Sequence, residues 1–163
     1  MKTYNILFLC TGNSARSIIG EMLATSLSQG RFIGYSAGSQ PRPNPHPVAL
    51  ELAKQLDYPL EKLRSKSWDE FSKTDAPQMD FIITVCDDAA GEVCPVWPGH
   101  PATAHWGFPD PASVLGNDEQ IHHAFRQIEI GLRNRIELLL DLPIETLDQL
   151  SLKQELNQIH TKI

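Results

Sequence analysis

ILFLCTGNSARS, residues 6–17, runs from an apolar segment through Cys10 into small polar residues and an arginine. The segment YNILFLC, residues 4–10, is almost continuously apolar, which is typical of a parallel strand that is buried on both faces. Residues 14–29 then carry apolar side chains at helical spacing, and Gly30 follows where a helix would end. This stretch therefore predicts a strand, a tight loop and a helix, with Cys10 at the end of the strand.

The rest of the chain alternates predicted strands with predicted helices. Further strands are expected at residues 31–38, 79–87 and 104–107. Further helices are expected at residues 47–56, 67–73 and 118–141. Pro47 suits the first turn of the helix at residues 47–56. In the helix at residues 67–73, Ser67 is the predicted N-cap, and Glu70 would complete a capping box with it. Four prolines in residues 39–47 exclude a helix or a central strand there.

Strands that alternate with helices predict an α/β fold. We expect one doubly wound, three-layer domain over residues 1–142, built around a central four-stranded parallel sheet. Residues 143–163 have weaker helical spacing and are expected to form a helical tail that packs on this domain or extends it. Ligands of such sheets bind beyond the carboxyl ends of the strands. Cys10, Cys86 and Asp110 each follow a predicted strand end, which favours a shared site.

Composition narrows the possible partners. The chain has 163 residues, enough for one domain with a real core, and its net charge of -6 argues against nucleic acid or an anionic membrane as partner. Neither a membrane-spanning apolar run nor a full signal-peptide pattern is present, so we expect a cytoplasmic protein and, by default, a monomer. Its three cysteines are an odd number, which argues against a structural disulfide framework.

The residues after Cys10 suit the binding of a tetrahedral oxyanion. A cysteine between a strand and a helix lies beside free backbone N–H groups and the positive end of the helix dipole, which favours its thiolate. Gly12 and Asn13 tolerate the backbone angles of an anion nest, and Arg16 can donate two hydrogen bonds to one oxyanion. The predicted oxyanion-binding residues are Thr11, Gly12, Asn13, Ser14, Ala15, Arg16 and Ser17. The simpler interpretation makes Cys10 a small buried strand residue and Arg16 a surface residue.

Four segments of the sequence resemble one known family. CTGNSARS, SAGS, VCDDAAGEVCP and HWGFPDPA are similar to motifs of the low-molecular-weight protein tyrosine phosphatase fold family, and more narrowly of the arsenate reductases built on that fold. The resemblance covers residues 5–140. It implies that Cys10 attacks arsenate, that Arg16 neutralises the oxyanion and that Asp110, placed by adjacent prolines, is the general acid.

Two departures from the phosphatases of this fold count against phosphotyrosine as the main substrate. Those phosphatases usually carry a second cysteine five residues after the nucleophile, where this chain has Ala15. They also tend to follow the Asp-Pro pair with tyrosines, whereas Asp110 is followed here by Pro111, Ala112 and Ser113. A weak phosphatase activity is still expected, because phosphate and arsenate are close in shape and charge.

Cys86 and Cys94 are interpreted as the other two thiols of a reductase. The resemblance implies that Cys86 attacks Cys10, that Cys94 then attacks Cys86, and that a thioredoxin-like reductant resets the enzyme. A zinc site and two inert cysteines are the alternatives. For the whole protein, the alternatives are a phosphomonoester hydrolase and a non-enzymatic module that binds oxyanions or senses redox state.

No cofactor and no metal are predicted. Relatives of this kind can bind potassium near the loop, and Asn13, Glu21 and Ser36 stand where such a site would draw ligands. Ser67 occupies the position where a carboxylate would be expected, with Lys66 beside it. For this reason a potassium site is not predicted.

The predicted catalytic residues are Cys10, Arg16, Cys86, Cys94 and Asp110.

Overall fold

The computed structural model describes residues 2–85 and 101–161, the last of these by its backbone alone. Its strands are β1 (Tyr4–Cys10), β2 (Phe32–Gly38), β3 (Phe81–Thr84) and β4 (Ala102–His105). Its α-helices are α1 (Arg16–Leu27), α2 (Pro47–Gln55), α3 (Asp118–Leu140) and α4 (Gln149–Thr161). Short 3-10 helices cover Leu60–Lys62, Trp68–Phe71, Pro111–Ser113 and Ile144–Thr146.

The four strands form one parallel sheet in the order β2-β1-β3-β4, which confirms the predicted fold class. Cys10 pairs with Gly38 of β2, and Leu9 pairs with Thr84 of β3. From β1 the chain passes to β2 on one side of it, and it later returns to form β3 on the other side. The strand order therefore reverses at the carboxyl ends of β1 and β3, which is where open α/β sheets bind their ligands.

Apolar side chains cover both faces of the sheet. Ile6 and Phe8 of β1 point into the larger core, which lies under α1, α3 and α4. Leu7 and Leu9 point the other way, into a smaller cluster closed by the 3-10 helix Trp68–Phe71. Because both sets of side chains are buried, the strand needs the continuous apolar run that the sequence supplies.

The C-terminal segment contacts the sheet directly. Leu156 and Ile159 of α4 are buried in the larger core, and the indole N–H of Trp106 donates to the carbonyl of Leu156 at 2.9 Å. Arg31 donates to the carbonyl oxygens of Leu140 and Leu142, where α3 ends. Within residues 2–85 and 101–161, we find no helix whose length and apolarity would let it cross a membrane.

The prediction of a helix at residues 67–73 is wrong. The structure has a four-residue 3-10 helix there, and the Ser67 hydroxyl accepts a hydrogen bond from the Asp69 amide. Glu70 does not complete a capping box, because its carboxylate binds the guanidinium of Arg64 at 2.5 and 2.9 Å. In a 3-10 helix the side chains at i and i+3 lie on one line, so Trp68 and Phe71 can both enter the smaller cluster.

Several predicted boundaries also shift. The first helix begins at Arg16 rather than at residue 14, and it ends before Gln29, which has a positive φ of 52°. The last strand spans Ala102–His105 rather than residues 104–107, because its register is set by pairing with Phe81–Thr84. The strand predicted at residues 79–87 is shorter, and its last two positions lie outside the described residues.

Candidate active site

The loop between β1 and α1 lines a pocket at the point where the strand order reverses. The pocket is lined by Cys10, Thr11, Gly12, Asn13, Ser14, Ala15, Arg16, Gln40, Arg42 and Asp110. Cys10 ends β1, the loop and the first residue of α1 supply the next six residues, and Gln40 and Arg42 follow β2. Asp110 follows β4, so side chains from three strand ends meet here.

The sulfur of Cys10 lies within hydrogen-bonding distance of one group in the loop and one in the first turn of α1. The Asn13 amide lies 3.2 Å from the sulfur, and the Ser17 hydroxyl lies 2.9 Å from it. The Asn13 side chain also donates to the Ser17 hydroxyl oxygen at 2.8 Å, and a thiolate at Cys10, which can only accept, would take the hydroxyl hydrogen. Cys10 itself is only 2% exposed. This arrangement suits a sulfur that carries negative charge.

A segment that precedes the 3-10 helix at residues 68–71 holds Asn13 in place. Asn13 has a φ of 47°, in the left-handed region. The backbone N–H of Lys66 donates to its side-chain oxygen at 2.9 Å, and the hydroxyl of Ser65 donates to its backbone carbonyl at 2.7 Å. Because a backbone N–H can only donate, the first bond fixes which end of the Asn13 amide faces Ser17. No motif or periodic pattern in the sequence indicates this supporting role of residues 65–66.

Gly38 allows the loop to approach the end of β2. A Cβ atom at this position would collide with the carbonyl oxygen of Thr11. The backbone N–H of Gly38 also donates to the carbonyl of Lys66 at 2.9 Å. The SAGS motif therefore places a residue without a side chain where the loop and residues 65–66 pack on the strand end.

Arg16 and Asp110 face each other across the pocket. The Arg16 guanidinium donates to the carbonyl of Phe108 at 2.9 Å and lies 4.0 Å from the Asp110 carboxylate. That carboxylate also accepts from the Ala112 amide at 2.9 Å and from the Ser113 hydroxyl at 2.8 Å. The Arg16 side chain is 13% exposed and the Asp110 side chain 28%, so both retain access to the pocket.

Two pocket residues were missed by the sequence analysis. The amides of Gln40 and Arg42 donate to the carbonyls of Thr11 and Gly12, each at 2.9 Å, so the proline-rich segment runs alongside the loop. A Cβ atom on Gly12 would lie 3.0 Å from the Nε atom of Arg42, which places this guanidinium group over the loop. The only signal in the sequence is an arginine among the prolines that follow β2.

Cys86 and Cys94 lie outside the described residues. Val85, the residue before Cys86 in the sequence, is buried and donates its amide hydrogen to the carbonyl of Leu9 at 2.8 Å. In the part of the chain that is described, no group of three or more His, Cys, Asp or Glu side chains is arranged to hold a metal ion.

The fold and this loop define a class of parallel α/β proteins that carry a cysteine and an arginine on the loop after the first strand. The chain belongs to the low molecular weight phosphotyrosine protein phosphatase family, whose sequence pattern it matches over residues 5–149.

Two arsenate reductases are similar to the chain in sequence. That of Oceanobacillus iheyensis is 33% identical over 133 residues, which are 82% of this chain and 92% of that protein. That of Bacillus subtilis is 33% identical over 137 residues, which are 84% and 95% of the two chains.

The fold also matches a solved structure, that of the thioredoxin-dependent arsenate reductase of Corynebacterium glutamicum. The two structures superpose with a TM-score of 0.55 at 24% sequence identity, and the match covers 84% of this chain and 63% of that one. The chain thus spans less than two thirds of that protein's length. At this level of identity, the likeness shows a shared fold.

Proposed function

We propose that the protein reduces arsenate to arsenite, with Cys10 as the nucleophile. The observation that carries the proposal is the pair of hydrogen bonds to the Cys10 sulfur, at the floor of a pocket that also holds Arg16 and Asp110. A sulfur held in this way is activated as a thiolate and faces a space lined by donors for a tetrahedral oxyanion. The arsenate reductases among its relatives favour arsenate as that oxyanion.

In the first step, the Cys10 thiolate forms a bond to arsenic, and the oxygen of an arsenate hydroxyl group takes up a second proton and leaves as water. Asp110 supplies the proton for this oxygen as the general acid. The Ala112 amide and the Ser113 hydroxyl hold its carboxyl group at the edge of the pocket. Arg16 and the loop N–H groups stabilise the negative charge of the oxyanion during the attack.

In the second step, the Cys86 thiolate attacks the Cys10 sulfur. A sulfur–sulfur bond forms and the sulfur–arsenic bond breaks, leaving its electron pair on arsenic, which becomes arsenite. Cys94 then attacks Cys86, which frees Cys10 and leaves a Cys86–Cys94 disulfide for a thioredoxin-like dithiol to reduce. The position of Val85 beside Leu9 supports a role for Cys86, because the chain passes next to the strand that ends in Cys10.

Arg42 recruits the substrate in this account. Its guanidinium group lies over the loop at the mouth of the pocket, and its side chain is exposed. Arsenate carries more than one negative charge near neutral pH, and a second cation beside the pocket raises its local concentration. Arg16, deeper in the pocket, then binds the oxyanion itself.

A phosphomonoester hydrolase is the second candidate, and the family match favours it. Both activities begin with attack by Cys10, but only the reductase needs further thiols.

The test measures two activities: thioredoxin-coupled NADPH consumption with arsenate, and hydrolysis of p-nitrophenyl phosphate. Wild type, Cys86→Ser and Cys94→Ser are compared. The proposal predicts arsenate-dependent turnover that both substitutions abolish while hydrolysis remains. Hydrolysis without arsenate turnover would instead identify a phosphatase.

A further inference from the structure

Lys66 places a buried positive charge behind the loop. The residue is 7% exposed, and its amino group has three oxygen neighbours. These are the carbonyl of Arg64 at 2.8 Å, the hydroxyl of Ser36 at 3.4 Å and the carboxylate of Glu21 at 4.0 Å. An ammonium group has three hydrogens to donate, so this set of neighbours fits its charged form.

Glu21 is the counter-charge, and it is equally buried at 4% exposure. Its two carboxylate oxygens accept hydrogen bonds from the hydroxyls of Ser36 and Tyr58, each at 2.6 Å. Burial raises the pKa of Glu21, and the attraction of Lys66 is the main opposing effect. Burial likewise lowers the pKa of Lys66, and Glu21 opposes that shift most strongly. Each charge therefore depends on the other to remain inside the protein.

The same lysine is connected to the nucleophile. Its backbone N–H binds the side chain of Asn13, which in turn binds the hydroxyl of Ser17 beside the Cys10 sulfur. Negative charge on Cys10 also raises the pKa of Lys66. Since the attraction between two charges is mutual, the ammonium group stabilises the thiolate in return.

We propose that Lys66 is a positioning residue whose buried ammonium group acts as a built-in cation, holding the Asn13 turn and stabilising the Cys10 thiolate. Of the three residues that the sequence suggests for a potassium site, Glu21 and Ser36 lie beside this amino group, and Asn13 accepts from the backbone of Lys66. The inference rests on the proposed function only in taking Cys10 as the reactive thiol.

Two other charged groups affect Lys66: Arg64, two residues before it, and Glu70, in the 3-10 helix that follows it. Arg64 lowers the pKa of Lys66, whereas Glu70 raises it more weakly than Glu21 does. Arg64 and Glu70 are paired with each other at the surface, through two hydrogen bonds. Their effects on the pKa of Lys66 have opposite signs, and Glu21 is the charged group with the largest effect on it.

The test measures the rate of Cys10 alkylation by iodoacetamide as a function of pH. Cys86 and Cys94 are replaced by serine in every sample, so only Cys10 reacts. Lys66→Gln removes the charge, and Lys54→Gln on the exposed surface of α2 is the matched control. We expect the midpoint of the alkylation profile to rise by about one pH unit in Lys66→Gln and to stay unchanged in the control. Ammonium chloride should partly restore the midpoint in Lys66→Gln, whereas choline chloride at equal ionic strength should not.

A second variant separates the charge of Lys66 from a structural role. Lys66→Arg keeps the positive charge but changes the shape of the side chain. The proposal predicts that the alkylation midpoint in this variant stays close to that of wild type, in contrast to its rise in Lys66→Gln. A folded Lys66→Gln protein with an unchanged midpoint would overturn the proposal. If Lys66→Gln does not fold, a rise of about one pH unit in the charge-retaining Lys66→Arg would overturn it. The assay contains no arsenate, so its outcome is independent of whether the protein reduces arsenate.

Discussion

The hydroxyl of Ser17 lies 2.9 Å from the sulfur of Cys10, and its oxygen already accepts a hydrogen bond from the Asn13 side chain. When Cys10 is a thiolate, which can only accept, the hydroxyl hydrogen points to the sulfur. Because Asn13 is itself held by the backbone of Lys66, this orientation does not depend on a bound ligand. The proposed nucleophile is thus held by contacts within the protein rather than by an oxyanion in the pocket.

Ser17→Ala should weaken the nucleophile without unfolding the loop. Loss of one hydrogen bond to a charged sulfur should slow the arsenate step by about tenfold or more and raise the pH midpoint of Cys10 alkylation. Rapid-quench measurement of the first turnover gives the rate. Ser26→Ala, on the exposed side of α1, is the control and should behave as wild type. Equal rates in the two variants would exclude Ser17 from thiolate stabilisation.

Asp110→Asn should slow the first step while leaving substrate binding intact. The oxygen of the asparagine can still accept from the Ala112 amide, and its NH2 group can donate to the Ser113 hydroxyl oxygen, so the local structure should persist. It cannot donate the proton that the departing oxygen needs, and we expect a loss of about 10²–10⁴ in rate. Pre-steady-state arsenite formation checks this, with the affinity for arsenate measured alongside. An unchanged rate would show that Asp110 is not the general acid.

Arg42→Gln should raise KM for arsenate with little change in kcat. The guanidinium group lies over Gly12 on an exposed side chain that lines the pocket, so we expect it to contribute chiefly to the capture of the anion. We expect KM to rise by about tenfold at low salt and the difference from wild type to shrink as salt is added. Arg126→Gln, on the exposed face of α3, is the matched control. A fall in kcat with KM unchanged would mean that Arg42 acts in the chemical step instead.

Protonation of His46 should make the protein less stable in mild acid. Its ring accepts from the Val48 amide at 3.1 Å as the N-cap of α2 and lies 4.6 Å from the ring of Phe125. Burial lowers the pKa of His46 from 6.5, so below that value the unfolded chain binds more protons than the folded one. Stability should therefore fall as pH decreases from about 6.5 towards the lowered pKa, and the melting temperature should record the loss.

His46→Asn keeps an N-cap acceptor and should remove much of this dependence. His122 provides a comparison of opposite sign, because a bond to the Asp118 carbonyl, supported by Glu51, raises its pKa. Its contribution is present below 6.5 and is lost as pH rises, so His122→Asn should steepen the loss of stability in acid. Identical melting profiles for wild type and His46→Asn would contradict the role given to His46.

The sequence alone predicts those features that depend on local pattern. The apolar run of β1, the helical spacing of α3 and the glycine and asparagine after Cys10 were enough to give the fold class and the loop. The capping pattern at Ser67 led to a wrong prediction of an α-helix. The segment forms a 3-10 helix instead, in which Trp68 and Phe71 are buried on the same side.

The supports of the loop could not be predicted in the same way. Ser65 and Asn13 are 52 residues apart in the chain, and their contact follows no periodic pattern. Lys66 reads as a surface residue from its type, and only the fold shows that it is buried beside Glu21. The position of Arg42 over Gly12 likewise arises from backbone pairing between two loops.

The measurement that tests the central claim most directly is arsenite formed per enzyme when reduced protein meets arsenate without any other reductant. The proposed relay predicts about one arsenite per wild-type molecule and a Cys86–Cys94 disulfide, identified by peptide mapping. Cys94→Ser should also yield about one arsenite, but with Cys10 joined to Cys86. Absence of arsenite, with all three thiols still open to alkylation, would contradict the account.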